Sequence, residues 1–182
     1  MSLVYFIILF LILIISIIFL FFSISLLVGL FMAKGVPFVS IPQKDWAYLC
    51  QVAELKDNQV VYDLGCGKAN LLLTAIKNYN VSGVGYEISL WPYVWANLKS
   101  WKYKDRIKLH LKNFFKADLS RADVIFCYLF PETMAELEDK FEKELPAGAK
   151  VVSYAFKLPN RQPAKIIEKP GTKLGIIYIY QY

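Results

Sequence analysis

Val60-Val-Tyr-Asp-Leu-Gly-Cys-Gly67 joins a β-branched and aromatic run to two closely spaced glycines. That pattern predicts a buried strand from Gln59 to Leu64 that ends in a tight turn and feeds a helix from Ala69 to about Asn78. Gly65 and Gly67 let the backbone turn sharply and approach a ligand closely, and the following helix offers free N–H groups to an anion such as a carboxylate. Asp63, at the strand end, either organises the loop or meets a cationic amino group. A dinucleotide fingerprint would want glycine at 65, 67 and 70, but position 70 is Asn, which disfavours NAD or FAD.

Working outward, apolar runs alternate in kind. A short helix is expected from Lys44 to Leu55, before an Asp57-Asn58 turn into the first strand. Beyond Asn78 come a strand Val81–Glu87, a helix Pro92–Tyr103, a strand Arg106–Leu111, a strand Asp123–Tyr128, a helix Glu132–Glu144 and a strand Lys150–Tyr154. Strands alternating with helices imply parallel pairing in a doubly wound α/β sheet. The continuous apolar runs at 124–129 and 151–152 fit strands covered on both faces. The end breaks the alternation: Ala164–Glu168 and Lys173–Tyr180 flank a Pro170-Gly171 turn signal and read as an antiparallel hairpin. Only Lys157 to Pro163 precede it, too few for another helix of ordinary length.

The first thirty-odd of the 182 residues have a different character. From Leu3 to Ala33 no residue is charged, well past the 18 or so that mark a transmembrane helix. A helix over that run would be roughly 46 Å long against a hydrocarbon core of about 30 Å, so it tilts or continues beyond the bilayer. A cleaved signal peptide would carry a basic leading region and a shorter apolar stretch, and no Lys or Arg precedes Lys34. Lys34 and Lys44 follow the helix, which places the rest of the chain on the cytoplasmic side or in an equivalent interior compartment. The expected organisation is therefore an anchor over 1–34, a linker and helix over 35–58, with Pro37 and Pro42 keeping the connection extended, and an α/β domain over 59–182.

The net charge of +6 lies in the domain, with seven Lys or Arg against one Asp between Lys99 and Lys116. Such a patch is either a solvated face or a contact with an anionic leaflet. Nucleic acid is disfavoured as a partner, because no recognised binding module accompanies the charge. Cys50, Cys66 and Cys127 are scattered singly and His110 is the one histidine, so a metal site is not expected and a reducing compartment is.

The acid ahead of the first glycine resembles motif I of the class I S-adenosylmethionine-dependent methyltransferases, with Ala69 where a third glycine is usual. More narrowly, the chain resembles the small membrane-anchored lysine methyltransferases of the ADP/ATP carrier and ATP synthase c subunit type, with their prokaryotic relatives. The resemblance covers the anchor, Pro37-Phe-Val-Ser-Ile-Pro42, Asp63-Leu-Gly-Cys-Gly67, Gly85-Tyr-Glu-Ile88 with Trp91, and Ala122 through Glu132. It also takes in Leu137-Glu138, Leu145-Pro146 and the short C-terminal end. It departs at Ala69 and at Ser89-Leu90, where relatives often have Asn-Pro.

The resemblance implies a Rossmann-like methyltransferase sheet of five parallel strands plus the C-terminal antiparallel hairpin, preceded by one transmembrane helix. It implies a cofactor, S-adenosylmethionine, around Asp63, Gly65, Cys66, Gly67 and Ala69. Glu87, twenty-four residues past Asp63 and beside Ile88, would accept hydrogen bonds from the ribose hydroxyls. Asn113 would read the adenine amino group, and Phe114 would stack on the ring or pack in the core. The acceptor would lie against the end of the fourth strand. There Tyr128, which also borders the cofactor, and Glu132 align an amine, or Glu132 simply sits well at a helix N-terminus. Phe130 would line the amine's slot, and the segment from Phe38 to Pro42 would close over the methionine end or serve as a plain linker. The implied activity is methylation of a lysine on a membrane or membrane-proximal protein. An amine-bearing lipid as acceptor and an inactive cofactor-binding adaptor are the alternatives.

Overall fold

The computed structural model describes residues 3–32, 40–168 and 175–182, with side chains in the first helix described through Ser25 and at Leu27. The connection over 33–39, including Phe38, and the Pro170-Gly171 turn lie outside the described residues. Helix α1 spans Leu3–Met32, and its segment Leu3–Ser25 has a mean hydropathy of 3.4 with none of that surface buried in the protein. It is long and apolar enough to cross a bilayer, a property that a signal sequence shares.

The domain begins with α2 (Gln43–Val52) and continues β1 (Val60–Leu64), α3 (Asn70–Asn78), β2 (Ser82–Glu87), α4 (Leu90–Ser100) and β3 (Ile107–Leu111). It ends with β4 (Val124–Cys127), α5 (Pro131–Glu144), β5 (Lys150–Tyr154), β6 (Lys165–Glu168) and β7 (Ile176–Gln181). One seven-stranded sheet runs in the order β3-β2-β1-β4-β5-β7-β6. Strands β1 to β5 pair in parallel, β7 lies antiparallel to β5, and β6 antiparallel to β7. This is a Rossmann-like methyltransferase sheet with a C-terminal hairpin. Its chain order reverses beside β1, between β1 and β4, so ligand space opens at the carboxyl ends of those strands.

Each sheet face buries its own cluster. Leu49 and Cys50 of α2, with Ala53 just past its end, join Leu71, Leu72, Ala75 and Ile76 of α3 on one face, and Met134, Leu137 and Phe141 of α5 cover the other. All of these except Leu71 and Ile76 are at most 1 % exposed, the close packing that makes such cores sensitive to a single methylene. β1 contributes to both faces by alternation: Val61 points to the first cluster, Tyr62 and Leu64 to the second.

Several boundaries move for identifiable reasons. α2 stops at Val52, and Glu54 and Asn58 both take left-handed backbone in the turn to β1. α3 starts at Asn70, because Ala69 adopts φ 56° and ψ 26° and so stands outside the helix. α4 begins at Leu90, ahead of Pro92. In the first turn, proline's missing N–H forfeits no intrahelical bond, so the ring is accommodated there. Tyr128 falls just past β4, which ends at Cys127.

Candidate functional site

The crook after β1 is held almost wholly by backbone. The N–H groups of Gly65 and Cys66 both donate to the carbonyl of Tyr86 at 2.9 Å, which pins the loop to the end of β2. Gly65 has φ +82° and Gly67 φ +54°, left-handed conformations that favour glycine. Ala69 takes the same region at a cost of about 1 kcal/mol, and its N–H donates to the Cys66 carbonyl at 2.8 Å. The usual third glycine is thus a conformational convenience at a left-handed position. Alanine there is a strained residue rather than the helix-compatible one its type suggests.

Glu87 does more than the sequence indicates. It is buried, one carboxylate oxygen accepts from the Gly67 N–H at 2.9 Å, and the other accepts from Ile88 N–H at 2.9 Å and Ser89 N–H at 2.8 Å. A carboxylate has about four acceptor positions, so this one clamps the loop and keeps capacity for a further donor. Behind the loop, a methyl group on Gly85 would meet the Cys66 thiol and Leu109 at 2.7 Å each. Gly85 is therefore the floor on which Cys66 rests.

Asp63 stands at the end of β1, 7 % exposed, and its carboxylate receives no hydrogen bond from the described residues. Burial first, and the nearby Glu87 charge second, push its carboxyl up to about 7. It faces a cavity of about 180 Å³ lined by Ser40, Ile41, Trp46, Asp63, Gly65, Cys66, Gly67, Lys68, Asn70, Leu71 and Tyr128. A desolvated carboxylate left without a partner in such a space is suited to a cation, and the residues present therefore fit a ligand with a positively charged amino group.

The other expected residues distribute unequally. Tyr128 reaches the cavity wall, half-buried, with its ring edge-on to Tyr154 at 5.1 Å and stacked on Phe156 at 6.0 Å. Phe130 stacks on Phe156 at 5.6 Å. Ile88 contributes its backbone N–H to Glu87. Asn113 accepts the Phe115 N–H at 2.9 Å and so caps the turn at 114–116, with its amide nitrogen left for other use. Phe114 is half-buried against the second cluster, 4.9 Å from Phe115. Glu132 is exposed in the first turn of α5, beyond the cavity lining.

Sequence reasoning missed Trp46, Lys68, Asn70 and Leu71 as wall residues, and the buried pair behind them. Asp45 of α2 is fully buried and accepts the Tyr154 hydroxyl at 2.7 Å. Burial first, and that bond second, hold the tyrosine in its protonated form, and the bond ties α2 to the end of β5. Trp46 donates its indole N–H to Ile41 at 3.0 Å and so sets the wall ahead of α2. The presence of both Asp and Trp in a short helix beside a proline-bounded segment was the available signal. Among the described residues, no group of three His, Cys, Asp or Glu is arranged to hold a metal.

A parallel sheet with an antiparallel tail, a glycine crook at β1 and acids closing β1 and β2 define a class I methyltransferase. The comparisons make this specific: the ANTKMT methyltransferase domain family model matches residues 63–165, and the chain belongs to that family of S-adenosylmethionine-dependent lysine methyltransferases. A protein-lysine N-methyltransferase of Saccharolobus islandicus is 33% identical over 149 residues, 80% of this chain and 92% of that protein. The adenine nucleotide translocase lysine N-methyltransferase of Mus musculus is 30% identical over 134 residues, 72% of this chain but 58% of the mouse protein. Among solved structures, an RNA methyltransferase from Salinibacter ruber in complex with S-adenosyl-L-homocysteine superposes with a TM-score of 0.74 at 25% identity, covering 79% of this chain and 93% of that one.

Proposed function

We propose that this chain methylates the side-chain amine of a lysine in a membrane protein or a protein held at the membrane surface, with α1 as its anchor and the domain on the cytoplasmic side or in an equivalent interior compartment. The observation that carries the reading is a cavity that brings the Asp63 carboxylate, without a hydrogen bond from the described residues, and the Gly65–Gly67 crook together with Tyr128.

When bound, S-adenosylmethionine supplies a methyl group activated by its sulfonium. In this reading Asp63 takes the cofactor's ammonium, and the spare acceptor capacity of Glu87 takes a ribose hydroxyl while its other bonds keep the loop in shape. The crook around Cys66 and Ala69 presents backbone to the methionine end, and Ser40, Ile41 and Trp46 complete the wall of the same cavity. Ile88, Asn113 and Phe114 border the adenosine end. Tyr128, Phe130 and Phe156 form an aromatic wall against which an aliphatic lysine stem can lie.

An attacking amine must be neutral, and a free lysine has a pKa of about 10.4. Entry into an apolar slot lowers it, because desolvation disfavours the charged form. The residues then contribute orientation and exclusion of water, and the proton lost from nitrogen passes to solvent. In the same reading Glu132, exposed in the first turn of α5, meets the incoming ammonium before it is desolvated.

The test is transfer from methyl-labelled cofactor into native membranes, separated afterwards into protein and lipid. Label recovered as methyl-lysine in protein, and lost with Asp63→Asn, is the expected result. Label confined to lipid overturns the choice of acceptor. Tight cofactor binding with no methyl transfer to either fraction overturns the enzyme reading.

A further inference from the structure

α4 carries an apolar stripe that the described fold leaves uncovered. Trp91, Val94, Trp95 and Leu98 recur at i, i+3, i+4 and i+7, the spacing of one helix face. They are 47, 39, 39 and 60 % exposed, and Trp101, in the turn that ends the helix, is 66 % exposed. The opposite face already has its partner, since Ala96 and Ser100 are buried where α4 lies on β2 and β3. The stripe therefore contributes nothing to the domain's own core. Three of the chain's four tryptophans lie on it.

Its place beside α1 suggests what covers it. The Trp91 ring meets Phe22 edge-on with centroids 5.5 Å apart, and Trp95 lies 5.6 Å beyond Trp91. Phe22 lies nineteen residues past Leu3 in α1, roughly 29 Å along the helix and so about one hydrocarbon thickness from its start, the level at which a spanning helix leaves the hydrocarbon. Tryptophan prefers that level, because its ring is apolar and its N–H needs a polar partner. Basic residues follow at once. Lys99 and Lys102 flank the stripe, with the Lys102 ammonium 5.8 Å over the Trp101 ring, and Lys104, Lys108, Lys112 and Lys116 continue along and past the edge strand β3. An apolar stripe bordered by lysines matches an anionic lipid surface in both polarity and charge.

We propose that α4 is an interfacial helix that beds Trp91, Trp95, Leu98 and Trp101 in an anionic bilayer surface beside α1. The proposal rests on reading α1 as a membrane anchor. Held at two points rather than one, the domain keeps a fixed height and tilt over the membrane, which limits the acceptors that can reach its cavity.

Cys50, Cys66 and Cys127 are all buried, so a cysteine introduced by Leu98→Cys is the accessible thiol for an environment-sensitive fluorophore. The full chain would be labelled there and reconstituted into vesicles of phosphatidylcholine and phosphatidylglycerol. Lys143→Cys, in the last turn of α5 on the opposite sheet face, serves as the reference. The label at 98 is expected to shift to the blue and to be quenched by headgroup nitroxide lipid, with the label at 143 unchanged. In the unsubstituted chain, brominated lipid should quench tryptophan emission.

A label at 98 that stays water-like on vesicle-bound protein, with no quenching by brominated lipid, overturns the proposal and leaves the stripe to a protein partner. An alkaline carbonate wash tests α1 separately. Protein stripped by the wash after showing the blue shift overturns the anchor and supports α4. Protein that never floats with the vesicles overturns both.

Discussion

At the carboxyl ends of β1 and β2 the backbone itself is committed, whereas at the carboxyl end of β4 the chain offers rings. Gly65 and Cys66 share the Tyr86 carbonyl, Glu87 holds three N–H groups, and two glycines take left-handed backbone within three residues. Past the end of β4, Tyr128, which lines the cavity, and Phe130 hold their places by stacking on Phe156, with ring centroids 6.0 and 5.6 Å apart. Directional bonds at one end define a shape that few substitutions preserve, and aromatic packing at the other tolerates exchange. A constant cofactor and a variable acceptor would call for this division.

Substitutions at the two ends should therefore behave differently. The largest effect is expected from Glu87→Ala, which strands the N–H groups of Gly67, Ile88 and Ser89. At about 1 kcal/mol or more for each, thermal unfolding should report at least about 2 kcal/mol of lost stability, together with loss of cofactor binding. Unchanged stability would remove the clamp from the account. Gly85→Ala comes next, since the added methyl meets the Cys66 thiol and Leu109 at 2.7 Å. A cost of about 1–3 kcal/mol is expected, partly recovered by Cys66→Ala, and simple additivity of the two changes would show that the contact is not shared. Phe156→Ala, at the β4 side, should lower methyl transfer by roughly tenfold while cofactor affinity changes little. A parallel fall in both would erase the distinction between the ends.

A separate effect concerns pH. Burial raises the Asp63 carboxyl to about 7 in the folded protein, so the unfolded chain ionises there first. Its contribution to stability is complete at low pH, falls as pH rises from about 4 towards 7, and is flat above. Asp63→Asn should abolish that decline in equilibrium unfolding, and an identical decline in the variant would assign it to other groups.

The same contrast explains what was legible. Val60–Leu64 reads as a strand because it opens on a β-branched and aromatic run, and Asp63, Gly65 and Glu87 stand out because backbone geometry demands particular residue types at particular spacings. Ala69 was legible as a departure but not as a strained one, since alanine's identity says nothing of the φ +56° it adopts. The second role of Glu87 was hidden for a related reason: its partners are backbone N–H groups, which carry no sequence signature. Trp46 and the Asp45–Tyr154 bond were hidden too, because a pair separated by 109 positions is set by how α2 docks on β5. Of the surface proposed to meet the bilayer, the lysine-rich stretch from Lys99 to Lys116 was visible in the sequence. The tryptophan stripe of α4 becomes distinct only once Ala96 and Ser100 are seen to face inward.

In the proposed function the Asp63 carboxylate receives the cofactor's ammonium, and the direct measurement is S-adenosylmethionine affinity against pH for the unsubstituted chain and Asp63→Asn. A cation favours the ionised carboxylate, so below about pH 7 binding must expel a proton, and affinity should weaken by up to about tenfold per pH unit, levelling off above. Asp63→Asn should bind roughly a hundredfold more weakly and lose that slope. Equal affinity and the same pH dependence in both proteins would contradict the assignment of this site.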